Sequence, residues 1–260
     1  MSDFSVYSLA SSSKGNSVYV RIFDDEILID AGISAKRVCD TLKEIGSDIT
    51  KIKAIFVTHE HSDHVSGLEV LSKKYHIPIH LTQPSADVYL RTGKTPFTAQ
   101  ASVVHPLLFS EQIGRVTVRS FAVSHDSTAC VGYDVTDGSD QHTVAIATDL
   151  GYISDEVADT LLGIENVVLE SNHDENMLLC GPYPYDLKRR ILSNKGHLSN
   201  EAASSFICRL ADSGTKRILL AHLSQDNNLP ELAYHSALCV LGKRDITLCV
   251  AAPGEPTKLV

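Results

Sequence analysis

The chain has 260 residues, 43% of them hydrophobic, which is enough apolar material for one sizeable core or at most two small ones. Its charged fraction of 21% suits a globular protein, and no apolar run is long enough to span a bilayer, so no membrane-spanning helix is expected. The net charge of −9, from 32 acidic and 23 basic residues, means that any contact with nucleic acid must be local, and bound divalent cations would offset the acidity where they sit.

The N-terminus, Met1-Ser2-Asp3-Phe4-Ser5, lacks a basic segment followed by an apolar one, so no signal peptide is expected and a cytoplasmic location is the default. Strands are predicted over Phe4–Leu9 and Ser17–Phe23, around the small polar loop from Ser11 to Asn16. Glu26–Ile29 is a short strand that ends at Asp30-Ala31-Gly32. Ser34–Ile45 has helical periodicity, with Val38, Leu42 and Ile45 on one face and Gly46 as a stop. The buried strand Ala54–Val57 runs straight into a histidine cluster. A helix over Leu68–Tyr75 and a strand over Ile77–Leu81 follow. The middle reads as strand over Val116–Val123, Val131–Val135 and Thr143–Thr148, with the turn Thr136-Asp137-Gly138-Ser139 between two of them. Beyond it come a helix (Asp155–Leu162), a strand (Asn166–Leu169) and two helices (Pro184–Leu192 and Ser199–Leu210). The chain ends in a strand (Arg217–Ala221), a helix (Leu229–Leu241) and a strand (Ile246–Val250). Ser199 and Glu201 suit a helix N-terminus. The order implies layered α/β architecture in two similar halves, one domain over residues 1–260, with helices on both outer faces.

Cys39, Cys130, Cys180, Cys208, Cys239 and Cys249 form no C-x-x-C pair, and their scatter predicts reduced, mostly buried thiols. The 12 histidines are more informative. In Thr58-His59-Glu60-His61-Ser62-Asp63-His64, extended backbone puts His59 and His61 on the same side. Asp63 and His64 fall where the chain turns into a helix. Imidazole and carboxylate suit zinc, and also manganese or iron. A solvated polar loop is the bland alternative, but H-x-H-x-D-H is a demanding coincidence. His125, Asp149 and His222 each follow an apolar strand closely. In an α/β sandwich such strand ends meet at one edge, where sites form. Each of the three alone reads as a hydrogen-bonded edge residue; together with the loop they read as a metal site.

These motifs resemble the series that marks the metallo-β-lactamase fold: H-x-H-x-D-H, a downstream His, Thr148-Asp149 and the late His222-Leu223-Ser224. The resemblance runs over essentially the whole chain. It is closest to the YycJ/WalJ branch, through Ser11–Ser17, Thr58–Gly67, Ser124-His125-Asp126, Thr148–Gly151, Glu170-Ser171-Asn172-His173-Asp174, Tyr183–Leu192 and Gly196–Glu201. It implies a four-layer αββα sandwich with the metal site at one edge. It implies His59, His61 and His125 on one metal, Asp63, His64 and His222 on another, and Asp149 bridging them. It implies a hydrolase that uses a metal-bridging hydroxide, with zinc or manganese as cofactor and iron as a further option. Members of that branch are associated with 5′-to-3′ exonuclease action on DNA, and the Gly196-His197-Leu198-Ser199 segment also resembles tRNA 3′-processing nucleases.

Asp63, Asp149 and His197 are the expected catalytic groups. His197 sits at a helix N-terminus, where it can contact the scissile phosphate or protonate the leaving oxygen; a surface histidine in a capping loop is the alternative. Ser13, Asn16, His173, His197 and Ser224 are the candidate substrate contacts. His173 can orient a ligand or touch substrate and reads equally as a structural hydrogen-bonding residue, and the Ser13–Asn16 loop reads equally as an ordinary tight turn. Lys188-Arg189-Arg190 can follow a nucleic-acid backbone or form a solvated helix face. His76, His80, His105, His142 and His235 are expected to be structural. The expected partner is nucleic acid or another phosphodiester, not a membrane, and the sequence carries no signal for oligomeric state. Two rival functions remain: a small-molecule hydrolase acting on a thioester, lactone, lactam or cyclic phosphodiester, and a di-iron redox or metal-sensing protein.

Overall fold

Alternate residues of one apolar strand serve two different cores, and that rule sets the layers. The computed structural model describes residues 3–91, 100–138 and 142–260. The first sheet holds β1 (Phe4–Ala10), β2 (Ser17–Ile22), β3 (Asp25–Ile29), β4 (Ile52–Phe56), β5 (Ile79–Thr82), β6 (Ser102–His105) and β14 (Thr257–Lys258), ordered β14-β1-β2-β3-β4-β5-β6. The second holds β7 (Ser110–Ile113), β8 (Val116–Val123), β9 (Cys130–Thr136), β10 (Thr143–Ala147), β11 (Asn166–Glu170), β12 (Arg217–Ala221) and β13 (Thr247–Val250), ordered β13-β12-β11-β10-β9-β8-β7. Each sheet starts with antiparallel pairs and continues parallel, from β3 onward in the first and from β10 onward in the second. The parallel steps need crossovers, and helices supply them.

On β3, Ile27 and Ile29 face the core between the sheets, whereas Leu28 faces outward to the helices α1 (Ala35–Glu44), α3 (Leu68–Tyr75) and α4 (Gln83–Arg91). On β11 and β12, Val168 and Leu219 face the inter-sheet core, whereas Val167, Leu169, Ile218 and Leu220 face α5 (Asp155–Leu161), α8 (Asn200–Ser213) and α9 (Pro230–Leu241). The result is the expected αββα sandwich in two similar halves. Ser199 caps α8, accepting from the Ala202 amide at 3.2 Å, as its sequence position implied. Among the described residues no helix is long and apolar enough to cross a membrane.

All the strands and helices expected from the sequence are present, with ends shifted by no more than two residues except for the helix expected over Ser199–Leu210, which continues three residues further to Ser213. Not foreseen were α2 (Ser62–Val65), α4, β6, β7, α6 (Glu175–Cys180) and β14. Short helices lack periodicity, and β6 and β7 are edge strands with half-exposed or exposed residues, so no apolar run marks them. Ser139 of the expected turn lies outside the described residues. One expectation is corrected: all six thiols are free, but only Cys130 is buried, while Cys180 and Cys239 are exposed on α6 and α9. Those positions lie on outer helix faces that no second layer covers.

Leu219 is fully buried between the sheets. Leu219→Ala is expected to cost about 2–5 kcal/mol in urea unfolding, whereas Val104→Ala on the exposed β6 edge is expected to stay within about 0.5 kcal/mol.

Candidate metal centre

The loop after β4 is anchored from the neighbouring strand end. The Thr58 amide donates to Asp30 Oδ1 at 2.8 Å and its hydroxyl to Oδ2 at 2.9 Å. Asp30 Oδ2 also lies 2.8 Å from His64 Nδ1, so the imidazole donates there and turns its Nε2 toward Asp63 Oδ2 at 3.4 Å and Asp149 Oδ2 at 3.2 Å. Burial works against a charge on His64, but Asp149 and Asp30 outweigh it and raise its pKa well above the usual imidazole range. His61 is the N-cap of α2, which places Asp63 and His64 in the first turn. Gly32 permits this closure: a Cβ there would sit 1.5 Å from the Asp63 carbonyl oxygen.

The second sheet repeats the device. Glu170, the fully buried last residue of β11, receives His197 Nδ1 and His222 Nδ1 on Oε1, both at 2.8 Å. Its Oε2 accepts the Leu150 amide at 3.0 Å and the Leu198 amide at 3.1 Å. Burial alone would raise its pKa, yet His197 and His222 hold it down to about 2. With Nδ1 committed, His222 aims Nε2 at Asp149 Oδ1 (3.4 Å) and Asp63 Oδ2 (3.6 Å). Burial opposes its charge, but Asp149, Asp63 and Glu170 push its pKa up to about 10. His125 has Nδ1 3.1 Å from the Gly196 carbonyl, leaving Nε2 3.9 Å from Asp149 Oδ1.

The seven expected side chains therefore converge. Ligating atoms of His59, His61 and His125 lie within 4.8 Å of one another, as do those of Asp63, His64 and His222, and those of His59, His64 and Asp149. Asp149 is common ground between the two triads. Burial disfavours its charged form, but His222 and His64 keep its pKa well below the carboxylate norm. His59 goes the other way: burial, then His64, lowers it well below the usual range, so it is neutral and able to donate a lone pair. Buried His59 Nε2, Asp149 Oδ2 and His222 Nε2 have no hydrogen-bond partner among the described residues. Buried polar atoms are rarely left so, and here they face one another across an all-imidazole and carboxylate pocket, which fits divalent cations. Asp30, Asp149 and His222 all adopt left-handed backbone, with φ of 63°, 59° and 58°. Such strain clusters at functional sites.

The substrate candidates divide. His197 packs between His125 and His222, with ring centroids 5.0 and 5.2 Å away, and its side chain is 19% exposed. Asn16 Nδ2 donates to Asp63 Oδ2 at 3.2 Å, so it braces the metal loop. The amides of Ser12, Lys14, Gly15 and Asn16 are spent on Asn16, Ser12 and Asp63, which is the tight-turn arrangement; Ser13 lies exposed there. Ser224 is buried and its hydroxyl accepts the Asn227 amide at 3.1 Å. His173 is 1% exposed, with neither ring nitrogen partnered among the described residues. His76 ends α3 in left-handed backbone and His142 pairs with Asp137, both structural roles. Sequence reasoning missed Asp30, Thr58 and Asp126. Asp126 Oδ1 lies 3.2 Å from His125 Nε2, and its carboxylate is held by Arg190. The only available signal was position, since each sits beside a strand end or a ligand.

A model of the beta-lactamase superfamily domain matches residues 25–223, and the chain belongs to that superfamily. Fold and relatives together define a metal-dependent hydrolase of the metallo-β-lactamase type. Within it, the chain is 38% identical to exodeoxyribonuclease YycJ of Bacillus anthracis over 96% of either chain. It is 35% identical to exodeoxyribonuclease WalJ of Streptococcus pneumoniae strain D39, over 92% of this chain and 88% of that one. The solved structure of YhfI, a metallo-beta-lactamase fold protein of Bacillus subtilis, matches with a TM-score of 0.73 over 98% of this chain and 99% of that one, at 16% identity, which bears on the fold alone.

Glu170→Gln removes the charge that orients His197 and His222. Metal affinity, measured by competition with a chromophoric chelator, is expected to fall about 10–100-fold; an unchanged affinity would show that Glu170 does not tune the ligands.

Proposed function

We propose that the chain is a two-metal phosphodiesterase that degrades DNA from a 5′ end. One domain over residues 1–260 would carry it, in the cytoplasm, where six free thiols persist. The observation that carries this reading is the meeting of two ligand triads at Asp149, with the His197–Glu170 pair beside them. His59, His61 and His125 would hold one metal, Asp63, His64 and His222 the other, and Asp149 would contact both. Zinc and manganese suit these donors, with iron as the third choice. The metals would acidify a water and neutralise charge on the attacked phosphate.

The chain's own groups supply the rest. Asp149, fixed by its strained backbone and by the Leu150 amide bonded to Glu170, would orient the attacking oxygen, with Asp63 beside it. His197 donates Nδ1 to Glu170, so Nε2 remains for the phosphate or for the proton the leaving oxygen needs. Ser13, Asn16, His173 and Ser224 stand as further substrate contacts. Of these, His173 has the strongest support, because neither nitrogen of its buried ring has a hydrogen-bond partner among the described residues.

The relatives named exodeoxyribonucleases support DNA as the substrate. So does the helix α7 (Tyr185–Ile191), which buries none of its residues and carries Lys188, Arg189 and Arg190. Arg190 reaches back to Asp126 beside His125, so this cationic helix adjoins the site. Arg189 lies over the ring of Tyr185, which is 73% exposed. A guanidinium on an open aromatic face suits bases and phosphates of a passing strand.

Metal-replete protein should release mononucleotides from 5′-ended DNA faster than it cleaves RNA, a generic phosphodiester or a thioester. Chelation, His61→Ala and Asp149→Ala should each bring hydrolysis below detection, with zinc or manganese restoring the chelated wild type. Undiminished turnover by metal-stripped protein, or preference for the thioester, would overturn the proposal.

A further inference from the structure

A second set of ligating groups lies away from this centre, at the lateral edge of the sandwich. It comes from three strands and both sheets. His80 is on β5, His105 ends β6, and Glu111 is on β7. β6 is the edge strand of the first sheet and β7 that of the second. Ligating atoms of the three residues lie within 4.8 Å of one another. His80 Nδ1 and His105 Nε2 are 2.9 Å apart. Among the described residues, none of the three makes a hydrogen bond or ion pair with the seven side chains of the first centre.

The surroundings fix the two rings. His80 is buried and stacks on Phe56 at 4.4 Å between centroids. His105 stacks on Phe109 at 4.0 Å, within 9° of parallel. Burial, then the proximity of His105, lowers the His80 pKa to about 4, and burial lowers that of His105 despite Glu111. Both rings are therefore neutral at pH 7, the form that ligates metals. His105 and Glu111 are only half-buried, which leaves an ion a way in.

We propose that His80, His105 and Glu111 form a separate site for a divalent transition ion, zinc foremost, that clamps β6 to β7 across the two sheets. Two imidazoles and one carboxylate make a three-ligand set, with water for the fourth position. Ligand nitrogens in a tetrahedral zinc shell stand about 3.3 Å apart, so the pair opens by a few tenths of an ångström as both rings turn their lone pairs onto the ion. The proton now shared between the facing nitrogens leaves the one that carries it and, by way of solvent, protonates the outer nitrogen of the same ring, so both rings stay neutral and no redox partner is needed. The site does not depend on the function proposed for the first centre.

The test compares wild type, His105→Gln and Glu111→Gln, each dialysed against zinc, with metal per chain counted by mass spectrometry and folding checked by circular dichroism. The wild type should retain one zinc more than either variant, and the variants should hydrolyse phosphodiesters as the wild type does. Equal zinc in all three proteins would overturn the proposal and leave His80 and His105 as a plain hydrogen-bonded pair. Glu111 is on an exposed edge strand, so Glu111→Gln keeps the comparison open should His105→Gln fail to fold. Because the readout is a difference, it stands whatever the first centre holds.

Discussion

One buried carboxylate organises the metal centre from the second sheet. Glu170 is fully buried and its two oxygens take up four donors: His197, His222 and the amides of Leu150 and Leu198. A buried charge is tolerable only when paired and hydrogen-bonded this fully. The arrangement reaches three segments at once. It sets the imidazole of His222, the imidazole of His197, and the loop that presents Asp149. The first sheet does the same with Asp30, which takes His64 Nδ1 together with the amide and hydroxyl of Thr58. In both halves a carboxylate at the end of one parallel strand orients a histidine that follows the next strand, β3 to β4 and β11 to β12.

This device also accounts for where strain is stored. Asp30, Asp149 and His222 all carry positive φ, a conformation that costs on the order of 1–3 kcal/mol for a residue with a Cβ. Each is over-determined by its neighbours. The Asp30 carboxylate is held by three hydrogen bonds, and the amide of His222 donates to Ser11 Oγ at 2.6 Å. The strain turns side chains off the strand ends and into a common space. The inter-sheet core supports this from below: Phe56, Ile146, Val168 and Leu219 are all essentially inaccessible to solvent, so the strand ends have little room to shift.

Much of this was legible in the sequence, for identifiable reasons. Apolar strands such as Ala54–Val57 and Ile218–Ala221 stand out by composition, and a His or Asp directly after such a run falls at a sheet edge. That logic found all seven converging groups. It did not find the orienting carboxylates. Glu170 acts on residues 27 and 52 positions away, and no local pattern encodes that pairing. Asp30 sits in Asp30-Ala31-Gly32, which reads as a turn. The edge strands β6 and β7 escaped notice because one face of each meets solvent, and with them went the approach of His80, His105 and Glu111. The loop from Ser11 to Asn16 reads equally as an anion site or a tight turn; the amides of Ser12, Lys14, Gly15 and Asn16 are spent on local partners, which no sequence pattern shows.

In the proposed centre, two ions share Asp149 between the triad His59, His61, His125 and the triad Asp63, His64, His222. Anomalous diffraction from crystals of metal-replete protein, collected on either side of the metal edge, tests it most directly. Two anomalous peaks are expected in this pocket, one against each triad and both against the Asp149 carboxylate. A single peak, or a pair that leaves Asp149 uncoordinated, would contradict it.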